Sequence, residues 1–269
     1  MVFPGAPGRE QGAAHPAGRI MPLCRMLDGI HRGKMEVTMN RRTGRSGCTA
    51  LICATLALFM FFQSAGAGDA ALLIEKVFAQ DTRGLAELID RGVDVNARDD
   101  GSGSTALMLA CLYGFTDMAG LLIRGGADPN IQANNGMTAL MAASQTSVEL
   151  VELLLEGGAD VHIRSADGSG SFTRSIMGMM DGSVGMEVPE LLLARGADVD
   201  EELTSGEAAG YTSLMMAAKN NHRELARFLI QNGADINRRA RNGSTPLSLA
   251  REENHGDIVH LLQEHGAVK

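Results

Sequence analysis

TALMLACLYGFTDMAGLLIRGGADPN, Thr105 to Asn130, and TALMAASQTSVELVELLLEGGADVH, Thr138 to His162, are the same sentence written twice, 33 residues apart. GYTSLMMAAKNNHRELARFLIQNGADIN (Gly210–Asn237) and GSTPLSLAREENHGDIVHLLQEHGA (Gly243–Ala267) repeat it, and Thr212 to Thr245 is again 33. LAELIDRGVDVNARD (Leu85–Asp99) gives the second half of an earlier copy, and IMGMMDGSVGMEVPELLLARGADVD (Ile176–Asp200) a copy with its first half altered. Six units therefore fill residues 69–269, with bounds near 69–100, 101–134, 135–166, 167–200, 201–240 and 241–269.

Each unit reads as two helices and a turn. Thr105, Thr138, Thr212 and Thr245 are placed to cap a first helix with the side-chain oxygen. Pro246 suits the first turn, where a missing N–H costs nothing. Leu107/Ala110, Leu140/Ala143, Leu214/Ala217 and Leu247/Ala250 lie three apart, hence on one buried face. Gly114, Asn221 or Asn254 turns the chain, since Gly and Asn tolerate positive φ. A second apolar stripe follows, and Gly126, Gly158, Gly196, Gly233 and Gly266 stop it. Asp/Asn-rich residues then lead into a finger. Each unit leaves bare an apolar side that only its neighbour covers, so stability becomes a nearest-neighbour sum. The array should end in lids: Leu72–Phe78 lacks the Thr-x-Leu opening, and the last unit carries Arg251, Glu252, Glu253 and Asn254.

The period of 33 with G-x-T-(A/S/P)-L-(M/S)-x-A openings and L-L-x-x-G-A-D endings resembles the ankyrin-repeat family. That resemblance implies an all-α solenoid with short β-hairpin or loop fingers and a non-catalytic role in binding another protein. The family places His at the fourth opening position, where this chain has Met108, Met141, Met215 and Ser248. Exported bacterial ankyrin proteins, which the chain resembles, are associated with oxidative-stress protection or with host targets. Both associations stay open as alternatives, the second as a secreted effector binding a host protein.

Charge divides the chain. Residues 1–67 carry 8 basic and 3 acidic residues, and residues 68–269 carry 16 and 29, a net charge of −13. Such a body repels phosphate backbones and argues against nucleic acid. Arg41, Arg42 and Arg45 precede the apolar run Cys48–Phe62, and Ala65 and Ala67 follow at the spacing of a cleavage site. Residues 39–67 thus read as a signal peptide with its apolar region at 48–62. The alternative is an inner-membrane anchor through 48–62, although 15 helical residues reach only about 22 Å against a roughly 30 Å hydrocarbon core. Residues 1–38 read as a disordered leader, with Met35 or Met39 as alternative starts. The mature protein is expected in the periplasm or secreted, as a monomer without cofactor and without membrane contact.

No catalytic motif stands out, and Cys111 sits where its neighbours place Ala, as a core residue. Met177, Met179, Met180 and Met186 crowd unit four. Thioethers at close range suit a soft ion such as Cu(I), while packing is the plainer reading, with Met177 in the slot of Met108. Unit four also breaks the spacing. The Asn-to-Thr interval is 9 at Asn96–Thr105 and 8 at Asn130–Thr138 and Asn237–Thr245, but 12 at His162–Arg174 and Asp200–Thr212. Two lengthened fingers are expected to flank this unit and mark a partner site with Phe172, Arg174, Glu201, Glu202, Glu207 and Tyr211. Leu112, Tyr113 and Phe115 form a second candidate patch, or else packing against unit one.

Overall fold

The computed structural model describes residues 68–206 and 208–268. The leader, the signal segment with Ala65 and Ala67, and Glu207 lie outside the described residues.

Among the described residues twelve helices follow one another in six pairs: α1 Asp69–Ala79 and α2 Thr82–Asp90, α3 Ala106–Leu112 and α4 Thr116–Arg124, α5 Ala139–Ala143 and α6 Val148–Glu156, α7 Ser171–Asp181 and α8 Glu187–Ala194, α9 Ser213–Lys219 and α10 Arg223–Gln231, α11 Pro246–Glu252 and α12 Gly256–Glu264. The threonines act as read. The amides of Met108 and Met141 donate to Thr105 and Thr138 Oγ1 at 3.3 Å, and that of Met215 donates to Thr212 Oγ1 at 3.4 Å. Thr245 and Ser248 cap each other reciprocally, so the serine in place of the usual residue closes a capping box. The turns hold Gly114, Asn221 and Asn254 at φ of 74°, 59° and 61°, the region in which a β-carbon is costly and Asn is tolerated.

First helices stack on first helices (α1 on α3, α3 on α5, α5 on α7, α9 on α11) and second helices stack likewise. The step from α7/α8 to α9/α10 lacks contacts of that closeness. One hydrophobic core nevertheless runs through all six units, with Ala106, Ala110, Ala143, Ala217 and Ala250 buried between neighbours. Small side chains bring adjacent helices close enough for dense dispersion contact. At the first end, Leu73, Ile74 and Val77 of α1 are buried and α1 packs on α3. At the other end Arg251 to Asn254 are exposed.

Three expectations are narrowed or corrected. Of hairpin or loop, the fingers are loops: among the described residues there is no strand, and a single bridge joins Arg98 and Thr105. Two backbone hydrogen bonds close each short finger, such as Ala133 N–H to Met137 O and Gly136 N–H to Ala133 O, both at 2.9 Å, too few for a ladder.

The second change concerns unit four. The finger after His162 has the ordinary length: its eight-residue interval reaches Gly170, the N-cap, as that of Asn130 reaches Thr138, and α7 begins at Ser171. The inserted residues Ser171, Phe172 and Thr173 form an extra helical turn, so α7 is 11 residues long against 7 in α3. Insertion is cheapest where new backbone groups find partners immediately, and a helix supplies them. The finger after Asp200 is lengthened as expected, with Leu203 N–H bonded to Tyr211 O at 3.1 Å around the tip.

Third, the register within α7 shifts by one. Ser183 N–H donates to Gly178 O as Phe115 N–H donates to Ala110 O, so Gly178 is the small residue of this unit. Ile176, fully buried, takes the slot of Met108, and Met177 that of Leu109.

Candidate partner-binding surface

Fingers and first helices share one face. Successive fingers are tied by backbone bonds: Asn134 N–H to Ser102 O at 2.9 Å, Ala166 N–H to Asn135 O at 2.8 Å and Thr204 N–H to Asp167 O at 2.7 Å. Gly136, at φ 80°, lies so close to the next finger that a β-carbon there would sit 2.8 Å from Ala166 N. The fingers are therefore a connected rim, rigid enough to hold a shaped surface.

At units two and three this rim meets α3 and α5 around a hollow of about 210 Å³. Its floor is Met108, Leu109 and Ala142, its walls Met137 and the finger residues Ser104 and Asn134, and Leu112 stands at its edge. Leu112 is 48% exposed, a leucine left in water. A wider groove of about 510 Å³ runs over the second helices α4 and α6, lined by Asp117, Glu149, Glu152 and Glu156 with Arg124. Its carboxylates are well hydrated, and size alone does not make it the better site. Apolar binding energy comes from surface removed from water, and that is concentrated at Leu112.

The other expected residues are dispersed. Tyr113 stacks on Phe115 with centroids 6.0 Å apart and meets Phe78 edge-on at 5.2 Å. These half-buried rings lock unit two onto unit one. Phe172 is fully buried, and Tyr211 and Glu201 are buried as well. These three, expected to face a partner, face the interior: the extra turn of α7 carries Phe172 into the core, and the long finger folds Tyr211 back onto the array. Arg174 reaches the finger and pairs with Asp167 Oδ2 at 3.0 Å. Glu202 accepts from Arg238 Nε at 2.6 Å. Met177, Met179 and Met180 pack against the core, and Met186 is the half-exposed N-cap residue of α8. Among the described residues no three His, Cys, Asp or Glu gather as metal ligands. Burial pushes the Cys111 thiol up to about 12, which keeps it protonated.

Glu201 does work that sequence reading assigns elsewhere. Gly170, the N-cap of α7, has no side chain to offer. The Glu201 carboxylate, from the next finger, accepts the amides of Gly170 and Thr173, each at 3.0 Å, and the Thr173 hydroxyl at 2.6 Å. Arg164 from the preceding finger pairs with its other oxygen. One buried carboxylate thus replaces the missing threonine cap and ties two fingers to a helix.

Asp167 plays a related part within its finger. Burial raises its pKa, but bonds from Ser165 and Ser169 and the Arg174 charge outweigh this and bring it to about 2. Its folded-state pKa is depressed, so its stabilisation is present above the unfolded value of about 3.9 and lost as pH falls toward about 2. Asp167→Asn is expected to flatten the acid limb of the urea-midpoint profile between those values. An unchanged slope there would refute the assignment.

The junction after unit four is also marked by its outer turns. Asn96 accepts Asp128 N–H at 2.8 Å and donates to Gly126 O at 3.4 Å. Asn130 accepts Asp160 N–H at 2.7 Å and donates to Gly158 O at 2.9 Å, and Asn237 links the last turn in the same way. An amide suits this place because it both accepts and donates. Unit three has His162 at this place, and unit four has Asp200, which accepts Asp235 N–H at 3.0 Å but has no N–H to give. Burial raises the Asp200 pKa, the Asp235 amide opposes this, and the Asp198 and Asp235 charges add to the rise. The favourable contribution of a raised carboxylate is full below the unfolded pKa and lost as pH rises through the folded one. At neutral pH the residue is therefore ionised at a cost. Asp200→Asn is expected to stabilise the array by about 1 kcal/mol at pH 7, a gain that shrinks as pH falls below the raised pKa. A urea midpoint that is lower or unmoved at pH 7 would contradict this.

Comparison with known proteins agrees with this architecture. The family model described as "Ankyrin repeats (3 copies)" matches residues 73–165 and 181–269, leaving out the finger and most of α7 in unit four. A putative ankyrin repeat-containing protein of Treponema pallidum (strain Nichols) is 45% identical over 58 residues, which are 22% of this chain and 20% of that protein. Human neurogenic locus notch homolog protein 2 is 30% identical over 226 residues, covering 83% of this chain and 7% of its own length. The chain thus spans a fifth or less of these curated relatives. The ankyrin repeat domain of Bcl-3, a member of the IkappaB protein family, superposes with a TM-score of 0.65 at 24% identity, over 76% of this chain and 89% of that one.

Proposed function

The chain belongs to the ankyrin-repeat family, and on that premise we propose that it is a non-catalytic scaffold that holds a protein partner against its fingers and first helices. Ankyrin repeats are in general protein–protein interaction modules. The observation that carries the reading is Leu112, half in water at the edge of an apolar hollow on a rigid rim. The long finger, at residues 204–206 and 208–210, adds a second contact area beside the first helices. Binding of this kind draws on a central apolar anchor and a polar rim, and Ser102, Asn134 and Asn135 provide such a rim.

Affinity capture with the purified chain tests it. Leu112→Glu is expected to lose the partner with stability changed by less than about 0.5 kcal/mol, while Glu152→Lys on the opposite face keeps it. Capture that survives Leu112→Glu and fails with Glu152→Lys would move the site to the second helices.

The place of work proposed is the periplasm. Support comes from the basic Arg41, Arg42 and Arg45, the 15-residue apolar run and the Ala65/Ala67 pair. Fractionation with N-terminal sequencing is expected to yield a soluble product starting at Gly68. A membrane-bound product retaining residues 48–62 would instead establish the anchor.

A further inference from the structure

The array contains the hollow twice, once open and once filled. Every residue around the hollow at units two and three has a counterpart 107 positions later at units five and six, because Thr105 and Thr138 correspond to Thr212 and Thr245. Met108 corresponds to Met215, Ala133 to Ala240, Ala142 to Leu249, Ser104 to Tyr211 and Leu112 to Lys219. In the second copy Tyr211, Met215, Ala240 and Leu249 form a small hydrophobic cluster of their own, with Ala208 packed against it. Tyr211 is 6% exposed and Met215 fully buried, and the Lys219 ammonium lies 5.8 Å from the Tyr211 ring centroid. The lengthened finger has thus delivered an aromatic ring onto a methionine floor, with a cation over its face. In the first copy the ring position is Ser104 and the floor residue is Ala142, and the space stands open.

We infer that the hollow at units two and three takes an aromatic side chain of a partner protein, with a basic residue beside it. The inference rests on the protein-binding reading above and names what that site holds. Three observations select the occupant. The filled copy shows that the same backbone frame and the same methionine accept an aromatic ring. The volume, about 210 Å³, exceeds the roughly 150 Å³ of an apolar cavity that admits benzene. The third is charge: the filled copy supplies its own cation through Lys219, whereas Leu112 holds that place in the open copy, so the cation comes with the ligand. The net charge of −13 on residues 68–269 and the exposed Asp100 carboxylate on the adjoining finger favour that cation. Arg98 is tied to Gly103 O and Asn134 Oδ1, both at 2.9 Å. A cation over an aromatic face adds further affinity when water is excluded.

The test uses the full chain with ¹³C-methyl methionine, the probe N-acetyl-L-phenylalaninamide and the control N-acetyl-L-alaninamide. The expected result is a saturable shift of the Met108 and Met137 methyl signals at millimolar phenylalanine probe, at least tenfold weaker with the alanine control. Ser104→Tyr combined with Ala142→Leu copies the filled hollow and is expected to abolish the shift. Tyr211→Ser with Leu249→Ala opens the second copy, and the Met215 methyl is expected to begin responding. Equal shifts with both probes, or a shift that persists in the Ser104→Tyr/Ala142→Leu variant, would overturn the inference. So would Met108 signals that change on dilution without probe, which assigns the hollow to a second copy of the chain. Met108 signals insensitive to the probe in the full chain would overturn it too, as when residues 1–67 already fill the site. A partner lost with Leu112→Glu yet retained with Ser104→Tyr/Ala142→Leu would leave the binding surface standing and remove the aromatic anchor.

Discussion

Phe172→Ala is expected to lower the stability of the array by about 3–4 kcal/mol, as truncation of a buried phenylalanine does. Phe172 is among the largest fully buried side chains, and it sits on a turn of helix that the first helices of units two, three, five and six lack. Its removal leaves a cavity where α7 joins the rest of the core, and nothing nearby is free to collapse into it, since Arg174 is held by Asp167 and Thr173 by Glu201. For a body of about 200 residues that loss corresponds to a fall in Tm of roughly 10 °C. The experiment also separates two roles. A partner-facing Phe172 would lose binding with its melting temperature unchanged. A core Phe172 loses stability first, and binding to the hollow at units two and three follows only as the array unfolds. Thermal melts monitored by circular dichroism, with Leu112→Ala as the exposed control expected to stay within about 0.5 kcal/mol, decide between them.

Glu201→Ala is the second large effect, expected at about 3 kcal/mol. Removing one partner of a buried pair leaves the other charge uncompensated, which costs about 3–5 kcal/mol where both are sealed. The Arg164 side chain keeps 32% of its exposure, so water screens part of that cost. Against this, the amides of Gly170 and Thr173 lose their acceptor together, and an N-cap alone is worth about 1 kcal/mol. Glu201→Gln should fall between the variant and the parent, because its amide oxygen still accepts but its charge is gone. Adding Arg164→Met to Glu201→Gln is expected to recover part of the loss. Hydrogen exchange at Gly170 and Thr173 gives the local reading: amides that stay as protected in Glu201→Ala as in the parent would show that α7 does not depend on this cap.

Much of the fold was legible because repeat proteins write their local rules many times. Thr105, Thr138, Thr212 and Thr245 each cap within three residues, and the glycines after the second helices each stop one helix. Leu112 could also be found, since a leucine stands where unit five has Lys219. The candidate site was only partly legible. The interval His162–Arg174 announced extra residues but did not say whether finger or helix would hold them, and aligning methionine on methionine placed α7 one residue out of register. Tyr211 reads as a contact residue because it ends a lengthened finger. Its equivalence to Ser104 was written in the sequence, but its ring could be seen to fill the space only once Met215, Ala240 and Leu249 were placed around it.

The sequence by itself determined the period, the helix pairs, their caps and stops, and the acidity of the body. Those depend on residues a few positions apart, where backbone geometry leaves little choice. Tertiary structure decided which way the irregular residues turn: Phe172 inward, Tyr211 back over its own repeat, Glu201 beneath a helix whose N-cap, Gly170, lies 31 residues earlier. Each of those depends on a partner from another unit, and a buried charge or ring takes the place where its neighbours satisfy it.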